Sequence, residues 1–201
     1  MRRLVIAVDC DDVLVPTLER TVDYYNRQHG TKVQLKDFYT PVSMEIWGTD
    51  SEQVSVDRVG EFIRSDEFAQ IPPMVGTIKS VAKLATQHEL HLVTGRASDL
   101  EPVTVAMLDA YFPGCFTSIE HTNYFHQSKS RSKGEVCQQI GADVLIDDYI
   151  VHGESVLSHG VERVIVFGSY PWNASDTLIE GMVRCNDWNA VEAEIERLSR
   201  E

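Results

Sequence analysis

Four short apolar runs constrain this chain more than anything else in it: residues 4–8, 90–93, 144–146 and 164–167. Each has the length of a buried strand and is rich in β-branched residues, and most of the intervals between them carry apolar residues at helical spacing. Met74, Ile78, Val81 and Ala85 share one helical face, Leu100, Val103, Met107 and Tyr111 share another, and Val191, Ile195 and Leu198 make a last helix. Weaker strands are predicted at residues 116–121 and 183–186. Strands without polar alternation are covered on both faces, which requires helices on each side of a parallel sheet. The predicted fold class is therefore α/β, a Rossmann-like doubly wound parallel sheet.

One interval breaks this rhythm. Between the first and second runs a crossover of ~12 residues would suffice, yet residues 16–73 intervene as well. Leu18, Val22 and Tyr25 form one amphipathic face in this interval, Val59, Phe62 and Ile63 form another, and Pro72-Pro73 ends it by blocking helix continuation. The expectation is a core domain from residues 1–15 and 74–201, with residues 16–73 inserted as a helical cap subdomain.

Composition narrows the partners. Lys and Arg number 18 and Asp and Glu 31, a formal net charge of -13. Such a balance repels nucleic-acid polymers and anionic membranes unless a local basic patch opposes it. The densest basic stretches, Arg2-Arg3 and residues 129–133, are short. Cys10, Cys115, Cys137 and Cys185 are scattered without metal-ligand or disulfide spacing, and the apolar stretch after Arg3 is too short for a signal sequence or a membrane span. A cytoplasmic protein is expected, and the sequon at Asn173-Ala174-Ser175 reads as chance.

Ligands of open α/β sheets bind outside the carboxyl ends of the strands. The first run ends in Asp9-Cys10-Asp11-Asp12, the second in Thr94-Gly95-Arg96, and the third in Asp147-Asp148. On a parallel sheet these acids crowd at one edge, where like charges raise one another's pKa. A bound cation resolves the conflict, and oxygen donors without His or Cys favour a hard ion such as Mg²⁺. Taken singly, an Asp or Thr after a strand is often only the cap of the next helix, and Lys133 reads as a surface lysine. Three acids within four residues at the end of one strand exceed what capping needs.

Jointly these motifs resemble the haloacid dehalogenase superfamily of phosphotransferases and phosphatases. The hydrophobic strand with Asp-x-Asp and a following Val-Leu is matched by residues 5–14, the strand ending in Thr by Leu92-Val93-Thr94-Gly95-Arg96, the helix-starting lysine by Lys133-Gly134-Glu135, and the strand with paired acids by residues 144–148. Residues 16–73 look like a cap of the C1 type. The segment from Val164 to Asn173, with its turn Pro171-Trp172-Asn173, looks like that of the 5'-nucleotidase C-type family, which includes the 5'(3')-deoxyribonucleotidases. The chain departs from the pattern at Asp12, where relatives commonly have Gly, and at Tyr149, where they have a basic or small residue.

The resemblance implies catalysis by Asp9 as nucleophile and Asp11 as general acid and base, with Thr94 and Lys133 holding the phosphoryl oxygens and Gly95 and Arg96 beside the substrate. It implies Mg²⁺ on Asp9, the carbonyl of Asp11 and Asp147, with Asp148 one step further out. Asp11 itself speaks for phosphoryl chemistry, because true dehalogenases lack an acid two residues after the nucleophile. The expected substrate is a small phosphomonoester such as a nucleoside 5'-monophosphate; sugar or head-group phosphates are the alternative. Phe38, Tyr39 and Trp47, in loop-like sequence broken by Pro41 and Gly48, are expected to contact it by stacking. Two other classes compete: a phosphoacceptor receiver domain, whose acceptor Asp sits on a middle strand, and a phosphate binder without turnover, which would not need both Asp9 and Asp11.

Overall fold

The computed structural model describes residues 2–40, 44–49, 51–124, 130–174 and 177–201. Pro41, Lys129 and Ser175, named above, lie outside the described residues. Six parallel strands form one sheet in the order β3-β2-β1-β4-β5-β6. They are β1 (Val5–Val8), β2 (Glu89–Thr94), β3 (Ser118–His121), β4 (Val144–Asp147), β5 (Arg163–Phe167) and β6 (Met182–Cys185). The four apolar runs become the four central strands, and the two weaker ones become the edges.

Strand periodicity explains how one sheet serves two cores. Ile6, Val8, Leu90, Leu92, Val144, Ile146, Ile165 and Phe167 enter one cluster, with Val81, Leu84, Met107, Val191 and Ile195 from the helices. Ala7, Val93, Leu145, Val164 and Val166 point the other way, into a cluster with Val136, Cys137 and Val156. Alternate residues of a strand face opposite sides, so a sheet covered twice must be apolar throughout. The covering helices are α3 (Thr77–Gln87), α4 (Glu101–Tyr111) and α7 (Trp188–Leu198) for the first cluster, and α5 (Lys133–Ile140) and α6 (Ile150–Ser158) for the second. Of the face expected for α3, Val81 is buried and Met74 and Ala85 pack against the same cluster, but Ile78 is 48% exposed, and Thr77, Ser80 and Leu84 are buried in addition. The hydroxyls of Thr77 and Ser80 made their side of the helix look polar in the sequence.

The long interval after β1 holds α1 (Thr17–His29), α2 (Glu52–Ile63) and three short 3-10 turns at Leu35–Asp37, Met44–Trp47 and Phe68–Gln70. Leu18, Val22, Tyr25, Phe38 and Trp47 gather in a third cluster, whereas Phe62, Ile63, Phe68 and Ile71 join the first cluster of the sheet. The C-terminal end of α2 thus packs onto the core through Phe62 and Ile63. At the end of the interval the backbone N–H of Met74 donates to the carbonyl of Leu14 at 2.9 Å, so the chain returns to the loop where it left the sheet. No helix among the described residues is long and apolar enough to cross a membrane.

Candidate active site

Strand order reverses between β1 and β4, and a crevice opens where neighbouring loops diverge. Val8 is in register with Ile146 and with Leu92, so Asp9 emerges level with Asp147, and Thr94 ends the strand on the other side. The Asp9 backbone N–H donates to the carbonyl of Ile146 at 2.9 Å, which extends the ladder to the site itself. One atom from each of Asp9, Asp147 and Asp148 lies within 4.8 Å of the others, and all three residues are buried. Three converging carboxylates without His or Cys fit a hard divalent cation.

Lys133 lies between two of them. Its Nζ is 2.8 Å from Asp9 Oδ1 and 2.6 Å from Asp147 Oδ2, with the side chain fully buried. A lysine in the first turn of a helix opposes the macrodipole. A capping box holds it there: Ser132 Oγ accepts from the Glu135 backbone N–H at 3.0 Å, and Glu135 Oε2 accepts from that of Ser132 at 2.7 Å. The surface reading of Lys133 is thereby excluded. Burial works against the ammonium, but Asp147 and Asp9 outweigh it and raise its pKa. Burial likewise presses on Asp147, yet Lys133 and His152 hold that carboxyl well below the usual range. Asp9 goes the other way: burial, helped by Asp147 and Asp11, pushes it up to about 7.

Asp11 is held differently. Arg96 Nη2 donates to its Oδ1 at 2.7 Å and Nε to its Oδ2 at 2.9 Å, while the Thr17 hydroxyl donates to Oδ1 at 2.5 Å. Burial alone would raise the Asp11 carboxyl, but the guanidinium and the hydroxyl keep it lowered. The Arg96 side chain, expected beside the substrate, is committed to Asp11, and its remaining Nη1 donates to Thr104 Oγ1 at 3.0 Å. Thr94 is buried, its Oγ1 accepting from the Arg96 backbone N–H at 3.2 Å. Asp12 combines both readings of the acid run. Its backbone takes the left-handed conformation, φ 58°, that favours glycine, and its carboxylate accepts from the Leu18 backbone N–H at 3.1 Å, capping α1.

A cavity of about 190 Å³ opens onto these acids. Asp9, Asp11, Asp148, Gly95 and Arg96 line its inner end, and Leu18, Val56, Val59, Ile63 and Leu100 its apolar wall. Phe38, Tyr39 and Trp47 do not line it. Phe38 and Trp47 are 0% and 2% exposed in the α1 cluster, with ring centroids 5.4 Å apart and edge to face. Tyr39 is 59% exposed and donates to Glu45 Oε2 at 2.6 Å. The expected contact of these three with substrate thus finds no support in this cavity: Phe38 and Trp47 supply the large apolar partners that α1 needs, and Tyr39 faces outward.

His152 and the contact of Trp172 are among the features that the sequence did not reveal. His152 lines the cavity, its Nδ1 3.3 Å from Asp147 Oδ1 and its ring edge-on to Tyr124 and Tyr149. Burial lowers its pKa, and a histidine without metal-ligand spacing leaves no mark in a sequence. Trp172 donates from Nε1 to Asp148 Oδ2 at 2.6 Å.

Among solved structures, the chain is similar to a haloacid dehalogenase-like family hydrolase from Streptococcus pneumoniae, with TM-score 0.68 and 11% identity over 96% of this chain and 98% of that one. It is also similar to a haloacid dehalogenase-type hydrolase from Bacillus subtilis solved bound to magnesium, with TM-score 0.66 and 10% identity over 100% of both chains. The L-2-haloacid dehalogenase of Xanthobacter autotrophicus matches with TM-score 0.62 and 8% identity, over 96% and 98% of the two chains. A search of the curated proteins gives no match. At such identities these likenesses establish the fold. The model of the family described as 5' nucleotidase, deoxy (pyrimidine), cytosolic type C protein matches residues 3–200. With acids, lysine and threonine at the strand ends of a fold shared with haloacid dehalogenase-type hydrolases, and nearly the whole length matched, the chain belongs to that nucleotidase family and is a phosphatase.

Proposed function

We propose that the protein hydrolyses a small phosphomonoester of the nucleoside 5'-monophosphate kind through an aspartyl-phosphate on Asp9. The observation that carries this reading is the placement of Asp9: at the end of β1, 2.8 Å from the buried ammonium of Lys133, and open to the cavity. An Asp9 oxygen attacks phosphorus, the bond from phosphorus to the leaving oxygen breaks, and Asp11 supplies the proton that oxygen takes up. A water then attacks the phosphoryl group, giving its proton to Asp11 and freeing phosphate and Asp9. Ionised and bonded to Arg96 and Thr17, Asp11 is prepared to accept that proton; to donate in the first step it must be protonated and turned from Arg96. Lys133 and Thr94 offset charge on the phosphoryl oxygens.

Asp9, Asp147 and Asp148, with the backbone carbonyl of Asp11, would hold Mg²⁺, which supplies charge neutralisation at the transferring phosphoryl group. Residues 16–73 act as a cap over the cavity, and the cytosolic description of the family supports a cytoplasmic enzyme. A non-nucleotide leaving group is the second reading, favoured by the aliphatic wall of Leu18, Val56, Val59, Ile63 and Leu100.

The test is a hydrolysis screen across nucleoside monophosphates, sugar phosphates and head-group phosphates, with Mg²⁺ and with excess chelator. The proposal expects turnover only with metal, highest for a nucleoside 5'-monophosphate. Full activity in chelator removes the metal from it, and preference for a sugar or head-group phosphate establishes the second reading.

A further inference from the structure

The turn after β5 takes no part in the chemistry above, yet its side chains reach both acidic loops. The Tyr170 hydroxyl donates to the backbone carbonyl of Asp12 at 2.8 Å. Trp172 Nε1–H donates to Asp148 Oδ2 at 2.6 Å, and Asn173 Nδ2 donates to the Asp148 carbonyl at 2.8 Å and to the Phe167 carbonyl at 3.0 Å. The Tyr170 and Trp172 rings stack with centroids 4.6 Å apart and planes 2° from parallel. From β6, Arg184 donates to the carbonyl of Gly168 at 2.8 Å and to Asn173 Oδ1 at 3.0 Å, tying the turn to the sheet edge. Gly168 has φ +73°, and a Cβ there would lie 2.6 Å from the Tyr170 ring. Only glycine lets that ring close over the end of the strand.

The indole has two sets of partners. Its ring belongs to the cluster of Leu18, Val22, Tyr25, Phe38 and Trp47, and its N–H belongs to a carboxylate of the acid cluster. Asp148 is buried among Asp147, Asp12 and Asp9. Like charges would rotate an unrestrained carboxylate away from such neighbours, whereas a donor on one oxygen fixes the plane and leaves the other oxygen for a cation.

We propose that Trp172 is a positioning residue for the cation site: its indole N–H orients Asp148 toward a divalent cation, and its ring links that carboxylate to the packing of α1. The inference rests on reading Asp9, Asp147 and Asp148 as the Mg²⁺ site.

The experiment is calorimetric titration of Mg²⁺ into the metal-free wild type and into Trp172→Phe, which keeps an apolar ring and loses the donor. Mg²⁺ affinity should fall about 10- to 100-fold, with the kcat lost at low Mg²⁺ regained at high Mg²⁺ and the folded state intact by circular dichroism. In wild type labelled with [15N]tryptophan, one of the three indole resonances, that of the carboxylate-bonded N–H, should move with the same midpoint as the calorimetric isotherm. This second measurement decides the matter if the variant does not fold. If Trp172→Phe binds Mg²⁺ within about twofold of wild type, or if Mg²⁺ binds and that resonance stays still, the assignment of Trp172 is wrong while the metal site stands. A wild type that takes up no Mg²⁺ overturns the metal site and the role of Trp172 with it.

Discussion

Arg96 and Asp11, 85 positions apart in the chain, meet in a partly buried ion pair with Nη2 2.7 Å from Oδ1. The guanidinium also sits over the Phe68 ring at 4.9 Å, so one side chain joins β2's loop, β1's loop and the segment between them. Removing the guanidinium takes away its hydrogen bonds to the Asp11 carboxylate, which keeps the Thr17 hydroxyl. Arg96→Gln should lower folding stability by about 1–3 kcal/mol, read from urea unfolding. A loss below about 1 kcal/mol, the size of a surface pair, would show that water replaces the guanidinium.

The two acids of the first loop should separate in their failures. Asp9→Asn removes the proposed nucleophile and one carboxylate of the proposed cation site, so neither turnover nor a covalent intermediate should survive. Asp11→Asn keeps the nucleophile and loses proton transfer, worth about 10²–10⁴-fold. With an activated aryl phosphate it should therefore accumulate one phosphoryl mass on Asp9, seen by intact mass spectrometry of quenched enzyme. An adduct on Asp147, or comparable turnover by Asp9→Asn, would refute the mechanism.

The apolar wall of the cavity should respond to substitution where Phe38 and Trp47 do not. Val56→Phe narrows the cavity and should raise KM for a bulky phosphomonoester about tenfold more than for a small alkyl phosphate. Trp47→Ala empties a buried site instead and should cost about 3–5 kcal/mol of stability, with KM for the two substrates shifted equally. A nucleotide-selective rise in KM for Trp47→Ala would return that ring to the substrate site.

His88 gives the fold an acid-side pH dependence remote from the acid cluster. Its Nδ1 accepts from the Leu4 backbone N–H at 3.2 Å, which requires the neutral ring, and burial, with Arg3 nearby, lowers its pKa from 6.5. The folded state then binds fewer protons than the unfolded one, so this contribution is complete above pH 6.5 and is lost as pH falls through the folded value. His88→Asn offers an acceptor that does not titrate. Between pH 8 and pH 5 wild type should lose more Tm than the variant; parallel curves would assign the acid loss to other groups.

The sequence by itself determined what depends on local pattern: the strands from their apolar runs, most helices from their spacing, and the acids at strand ends from the way those runs stop. Parallel register then carried Asp9 and Asp147 side by side, because strands that begin together end together. Lys133 became legible only beside the other motifs, since a lysine opening a helix contradicts the dipole unless acids face it. Tertiary structure alone decided the rest. It decided that Arg96 closes on Asp11, that Trp172 reaches Asp148, and that Phe38 and Trp47 turn into the α1 cluster and away from the cavity. Those outcomes follow from rotamers selected by packing among segments far apart in the chain, and an aromatic residue carries no local mark of which apolar space it will fill.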